Sequence, residues 1–91
     1  MTVGSQYISS YELYFYVDSI SLVKECLENL HRVSMVPIAA SNIKYIETGK
    51  PNNDNLLGVY YILTLEFESD KDCNMFQEDA RCIEMYHRYN Q

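Results

Sequence analysis

Along Tyr11 to Val17 (YELYFYV) the odd positions are Tyr11, Leu13, Phe15 and Val17, and the even ones are Glu12, Tyr14 and Tyr16. Successive side chains of an extended chain point to opposite faces, so this alternation predicts a strand with its core face on the odd side. Five of its seven residues are aromatic or β-branched, which suits a pleated, half-buried surface. The period then changes. Val23, Cys26, Leu27 and Leu30 fall at i, i+3, i+4 and i+7, with Val33 extending the stripe, and this spacing predicts a helix with one buried face. Asp18, Ser19 and Ser21 offer oxygens to cap its start. Glu25, Glu28 and Arg32 lie outside, with Glu28 and Arg32 at ion-pair spacing. Pro37 forbids any continuation.

Residues 1–10 read as a frayed or extended lead-in. Ile43 to Thr48 reads as a second strand of open phase, since Ile43 and Tyr45 fall on one face and Ile46 on the other. Gly49 to Asn55 is a polar turn by composition. Leu56 to Glu68 predicts a long third strand with Leu57, Val59, Tyr61, Leu63, Leu65 and Phe67 on its core side. It is expected to form an antiparallel hairpin with the second strand. Asp70 is expected to cap a second helix that runs to about Tyr89. Cys73, Phe76, Ala80, Ile83 and His87 would form its stripe, with Met75, Cys82, Met85, Tyr86 and Tyr89 on its flank.

The order is β-α-β-β-α. A right-handed crossover leaves a gap beside the first strand that the third can fill. The expected fold class is therefore α+β: a ferredoxin-like, three-stranded sheet lacking its last strand, with both helices on one face. The whole chain, residues 1–91, reads as a single domain without repeats or linkers. Two features follow. The first strand is left at an edge with unpaired backbone groups. The sheet face away from the helices is open and carries Glu12, Tyr14, Tyr16, Tyr60, Ile62 and Thr64.

Thirteen acidic against seven basic residues give a formal net charge of −6. Nucleic-acid affinity rests on Lys and Arg neutralising phosphates, so direct nucleic-acid binding is not expected. No apolar run approaches the ~18 residues of a membrane span. Met1 to Ser10 has no basic or apolar signal region, and the odd set Cys26, Cys73 and Cys82 then reads as reduced thiols of a cytosol-like compartment. At about 100° per residue, Cys73 and Cys82 would sit on nearly opposite faces of one helix and could not pair. No Cys or His pair has zinc spacing, so no metal is expected. Thr48-Gly49-Lys50-Pro51 echoes a phosphate loop but lacks its leading glycine and its hydroxyl residue, and reads as a turn. His31 and His87 have no acid or nucleophile at a fixed spacing. They read as residues near helix ends, and no enzyme is predicted.

Two residue classes remain. Nine tyrosines are many for this length. Base stacking by tyrosines on the open face would need a basic surround, whereas Glu12, Glu66 and Glu68 lie near. Protein contact suits them better: dimerisation through this face, with Tyr14, Tyr16, Tyr60 and Ile62 as the candidate interface, or through the edge of the first strand, stands against the plainer reading of a half-buried, partly solvated sheet. Seven of the thirteen carboxylates fall between Glu66 and Glu84: Glu66, Glu68, Asp70, Asp72, Glu78, Asp79 and Glu84. Only Lys71 and Arg81 offset them there. Alternate residues on one strand face are about 6.8 Å apart. That is close to the spacing of successive phosphates on a DNA strand, about twice the 3.4 Å axial rise. Glu66 and Glu68 fit this spacing, Asp70 fits if the strand extends that far, and Glu78, Asp79 and Glu84 would continue a negative ridge. The plainer reading is a solvated helix face with first-turn carboxylates favoured by the helix dipole.

The size, the acidic balance, the opening strand YELYFYV, the hairpin GKPNNDNLLGVYYILTLEFES and the acidic closing helix together resemble the Arn-type anti-restriction proteins of T4-like bacteriophages. The resemblance spans most of the chain as an overall pattern, and no short motif carries it. It implies a homodimeric DNA mimic that inhibits a host restriction nuclease of the McrBC type, or another DNA-binding protein. It further implies action in the infected bacterial cytoplasm, with no catalysis or cofactor needed. It does not say which carboxylates meet the target; the seven named above come from the charge distribution. The alternative is a small ferredoxin-like regulatory or adaptor domain that binds a protein or small ligand between sheet and helices.

Overall fold

The computed structural model describes residues 8–47 and 59–89. The elements are β1 (Ser9–Phe15), α1 (Ile20–Val33), β2 (Ala40–Tyr45), β3 (Tyr61–Phe67), α2 (Asp70–Glu78) and α3 (Ala80–Tyr89). They make an α+β fold of one three-stranded antiparallel sheet and three helices, with strand order β1-β3-β2. Tyr11 lies opposite Leu65, Leu13 opposite Leu63 and Phe15 opposite Tyr61. Directly opposed residues share a face, so the odd positions of β1 and β3 build one apolar surface.

That surface is the floor of the core. Phe15, Leu63, Leu65 and Phe67 are wholly buried there against Val23, Cys26 and Leu30 of α1 and against Cys73 and Phe76 of α2. The α1 stripe is the one its spacing predicts: Val23, Cys26 and Leu30 are buried, with Leu27 and Val33 packed beside them. Truncating a large side chain here, such as Phe15→Ala, removes transfer energy and leaves a cavity, at a cost of about 3–5 kcal/mol.

Several boundaries differ from the sequence expectation. β1 starts at Ser9, inside the expected lead-in, because Ser9 pairs with Phe67 and its hydroxyl donates to Asp70 Oδ1 at 2.7 Å. β2 starts at Ala40 because the ladder to β3 recruits Ala40, Ser41 and Asn42 despite their low strand preference. Ile43 faces Leu63 and Tyr45 faces Tyr61, which fixes the open phase: both lie on the core side. β3 is regular only over Tyr61–Phe67. The expected turn 49–55, the start of the expected third strand at 56–58 and the loop-like Thr48–Pro51 lie outside the described residues.

The expected single helix over 70–89 is two. Asp79 has an extended ψ of 110° and ends α2 while starting α3. Its N–H donates to Phe76 O at 3.1 Å, and its own C=O accepts from Cys82 and Ile83. Its carboxylate accepts from Arg81 N–H at 3.0 Å. Aspartate is a preferred N-cap because its side chain satisfies amides left open by the first turn. The break resets the helical phase. Cys82 is buried and Met85, Tyr86 and Tyr89 pack on the core, whereas Ala80, Ile83 and His87 are exposed. The expected stripe therefore holds for Cys73 and Phe76 and fails after Asp79. At the start of α2 the cap is Ser69, whose hydroxyl accepts from Asp72 N–H at 3.1 Å, and not Asp70. Ser19 occupies the N-cap position of α1 without a side-chain bond.

Candidate functional site

The seven expected acidic residues divide into three groups. Glu66 lies on the outer sheet face opposite Ser10 and Ala40. Glu68, just past the strand, is exposed, and Asp70 and Asp72 occupy the first turn of α2. These four follow one another at the corner where β3 turns into α2, Glu66 on the outer face and Asp70 on the helix side beside Ser9, with Lys71 between the two aspartates. Glu78 and Asp79 lie at the far end of α2, about 12 Å from Asp70 at 1.5 Å of rise per residue. Glu84 is exposed on α3, beyond the break.

One expectation fails in this geometry. The regular strand stops at Phe67 and Asp70 is helical, so Asp70 does not continue the strand spacing expected of Glu66 and Glu68. Helix capping at Ser69 competes with continuation of the strand and prevails. Asp79 departs from the expected ridge too. Its side chain is only 11% exposed and lies 3.6 Å from Arg81 Nε. Partial burial pushes its carboxyl pKa up, but the backbone N–H groups of Arg81 and Met35 and the Arg81 guanidinium outweigh this and hold it below its ordinary value. Asp79 is a cap and a tie to the segment after α1. Asp70, similarly, accepts the Ser9 hydroxyl.

The register adds a carboxylate that the charge run does not contain. Glu12 faces Thr64, two residues before Glu66 on the same face. Glu12 and Glu66 are therefore diagonal cross-strand neighbours, whose backbones lie about 7–8 Å apart. That interval is comparable with about twice the 3.4 Å axial rise of a DNA strand. The Tyr14 hydroxyl donates to Glu12 Oε1 at 2.7 Å. This bond, then the repulsion between charges, raises the Tyr14 pKa and keeps the phenol neutral. The sequence places Glu12 and Glu66 near the same open face, and the pairing of β1 with β3 fixes them as diagonal neighbours.

The tyrosine positions do converge. Tyr14 lies opposite Ile62, and Lys44 of β2 lies on the other side of Ile62. Tyr16 and Tyr60 follow at the same end of the outer face, and Tyr14, Tyr16 and Tyr60 are each about two-fifths exposed. The outer face thus has an aromatic end with one cation, Lys44, and an acidic end.

The edge of β1 is less open than expected. Tyr60 N–H donates to Phe15 C=O at 3.2 Å, so odd residues of β1 turn their backbone groups to β3 and even residues turn theirs outward. Of the outward groups, both of Tyr14 bond to the Tyr86 hydroxyl, and Ser10 C=O faces the Cys73 thiol at 3.8 Å. Beneath this edge, Tyr11, Leu13, Phe76, Ile83, Tyr86 and His87 help line a cavity of about 190 Å³. Ligand sites usually enclose about 300–1,000 Å³.

Further polar contacts tie the helices together. The Tyr89 hydroxyl donates to Glu25 Oε2 at 2.7 Å and accepts from Asn29 Nδ2 at 2.6 Å. The Glu25 bond, followed by partial burial, raises the Tyr89 pKa. Arg32 donates to Asn29 in place of the expected pairing with Glu28. Cys26, Cys73 and Cys82 are free, buried thiols. Among the described residues, no group of three His, Cys, Asp or Glu could hold a metal ion, and no helix is long and apolar enough to cross a membrane. Comparison with known protein families, characterised proteins and solved structures returns no match.

Proposed function

We propose that the protein is a stoichiometric inhibitor that presents carboxylates in place of DNA phosphates to a DNA-binding protein. The carrying observation is the acidic stretch where β3 turns into α2: Glu66 and mid-strand Glu12 are diagonal neighbours on the outer sheet face, and Glu68, Asp70 and Asp72 follow past the end of β3, Asp70 on the helix side with Ser9. Such a surface attracts the Lys and Arg that normally hold phosphates and accelerates encounter through long-range attraction. Catalysis, metal and cofactor have no part in this reading. Glu78 and Glu84 extend the field along the helices, while Asp79 contributes mainly through the fold.

The strand order β1-β3-β2 supports a ferredoxin-like arrangement without its last strand. The sequence resemblance supports the narrower reading: a phage-encoded, homodimeric anti-restriction protein whose target is a host nuclease of the McrBC type in the bacterial cytoplasm. The test is cleavage of modified-cytosine DNA by such a nuclease with rising amounts of this protein. Cleavage should stop near one dimer per DNA-binding site. Undiminished cleavage at large excess would remove this target.

A further inference from the structure

The two sheet edges are finished differently. At β1, the Tyr86 hydroxyl occupies both outward groups of Tyr14, and Cys73 faces the Ser10 carbonyl. Among the described residues, nothing comparable is present at β2. Ile46 N–H donates to Tyr60 C=O at 2.7 Å, so even residues of β2 turn inward to β3. Ser41, Ile43 and Tyr45 then direct their N–H and C=O groups away from the sheet, and among the described residues these groups have no partner. Ser41 and Tyr45 are exposed. A row of unpaired backbone groups is a template for another strand.

The geometry points to a second copy of this chain as that strand, with β2 pairing antiparallel to its own image across a two-fold axis at Ile43. Three observations select this occupant. An isologous contact must tolerate itself, and Ala40–Tyr45 contains no carboxylate in a chain of net charge −6. With the axis at Ile43, the pairs are Ile43 with Ile43 and Ser41 with Tyr45, each exchanging both backbone bonds, and Lys44 lies opposite Asn42. An axis at Lys44 would set like charges face to face and is disfavoured. Stacking the tyrosine faces of two copies would instead bring Glu12 and Glu66 of both into one interface, where burying unpaired charge is costly.

The product is one continuous six-stranded sheet with β1 at both outer edges. Glu12 of β1 and Asp70, which bonds Ser9 of β1, then sit toward the two ends, while Glu66 lies one strand in from the seam opposite Ala40. This seam rests on the homodimer of the proposed function. It goes further by naming the surface.

The test is molar mass by light scattering, with circular dichroism to confirm folding. The wild-type chain should have twice its 10.7 kDa monomer mass. Ser41→Pro removes an N–H that the fold does not use and should weaken dimerisation at least about tenfold. Glu12→Pro removes the corresponding outward N–H of β1 and should leave the dimer intact. Amide exchange gives a second readout on the unaltered chain: Ser41, Ile43 and Tyr45 should become protected as concentration rises through the dimerisation range. A dimer that tolerates Ser41→Pro, or whose β2 amides exchange freely, overturns the seam and leaves the homodimer standing. A dimer abolished by Tyr14→Ser with Tyr60→Ser but not by Ser41→Pro also moves the seam to the tyrosine face. A wild-type monomer overturns both the seam and the homodimer. Inhibition by a monomeric Ser41→Pro chain would show that charge mimicry does not depend on the seam.

Discussion

The hydroxyl of Tyr86 lies 3.2 Å from the backbone nitrogen of Tyr14 and 2.5 Å from its carbonyl oxygen, accepting from the one and donating to the other. A single side chain thus occupies a step of the sheet edge where a further strand would pair. Its ring also meets Phe15 edge-on at 5.3 Å. Tyr86→Phe keeps the ring and deletes the bridge. It should cost about 1–2 kcal/mol in urea unfolding, and the Tyr14 amide should exchange faster. Unchanged protection at Tyr14 would show that the bridge does not hold in solution.

Asp79 should behave as a fold residue and not as a binding residue. Asp79→Ala removes the α3 cap and should cost about 1 kcal/mol. Asp79→Asn should recover part of this because the amide oxygen can still accept. The folded-state pKa lies below the ordinary 3.8, so the unfolded chain takes up the proton first as pH falls. The stabilisation is complete above 3.8 and lost as pH drops through the lower, folded value. In acid titrations, the difference between wild type and Asp79→Ala should shrink across that window.

Burial pushes the Cys26 thiol up to about 12 and the Cys82 thiol up to about 11, from an ordinary 9.0. A raised folded pKa gives stability that is full below 9.0 and lost as pH rises through the folded values. Both thiols should therefore resist a disulfide reagent at neutral pH until urea unfolds the chain. Rapid modification of the native protein would contradict the packing of α1 against α3.

Neutralising the corner should separate binding from stability. Glu66→Gln with Glu68→Gln should leave the unfolding midpoint within about 0.5 kcal/mol of wild type. The same pair should weaken inhibition by roughly tenfold or more if each lost charge contact is worth about 1 kcal/mol. Glu25→Gln should do the opposite: it loosens the Tyr89 tie and spares inhibition.

The parts of this fold legible in sequence are those set by local period. Tyr11, Leu13 and Phe15 alternate, and Val23, Cys26 and Leu30 recur at helical spacing, because burial on one face imposes the pattern whatever the partner. The break at Asp79 was not legible, since an aspartate suits an exposed helix position as well as a cap. Only its contacts with Arg81 and Met35 decide between them. The β2 phase required the pairing of Ile43 with Leu63. The Tyr86–Tyr14 bridge and the recruitment of Glu12 likewise join residues far apart in the chain. For the acidic surface, composition indicated the charge and its direction along the sequence. Register and capping then removed Asp79 from the surface, fixed Glu12 as a diagonal neighbour of Glu66 and took Asp70 out of the strand spacing.

The central claim is that this surface competes with DNA for the same basic groove. Fluorescence anisotropy of a labelled duplex bound to an McrBC-type nuclease tests it most directly, with this protein titrated in at several salt concentrations. The account predicts full displacement near stoichiometry at low salt, with the inhibitor's apparent affinity falling steeply as salt rises. Persistent DNA binding at saturating protein, or a ternary complex indifferent to salt, would contradict it.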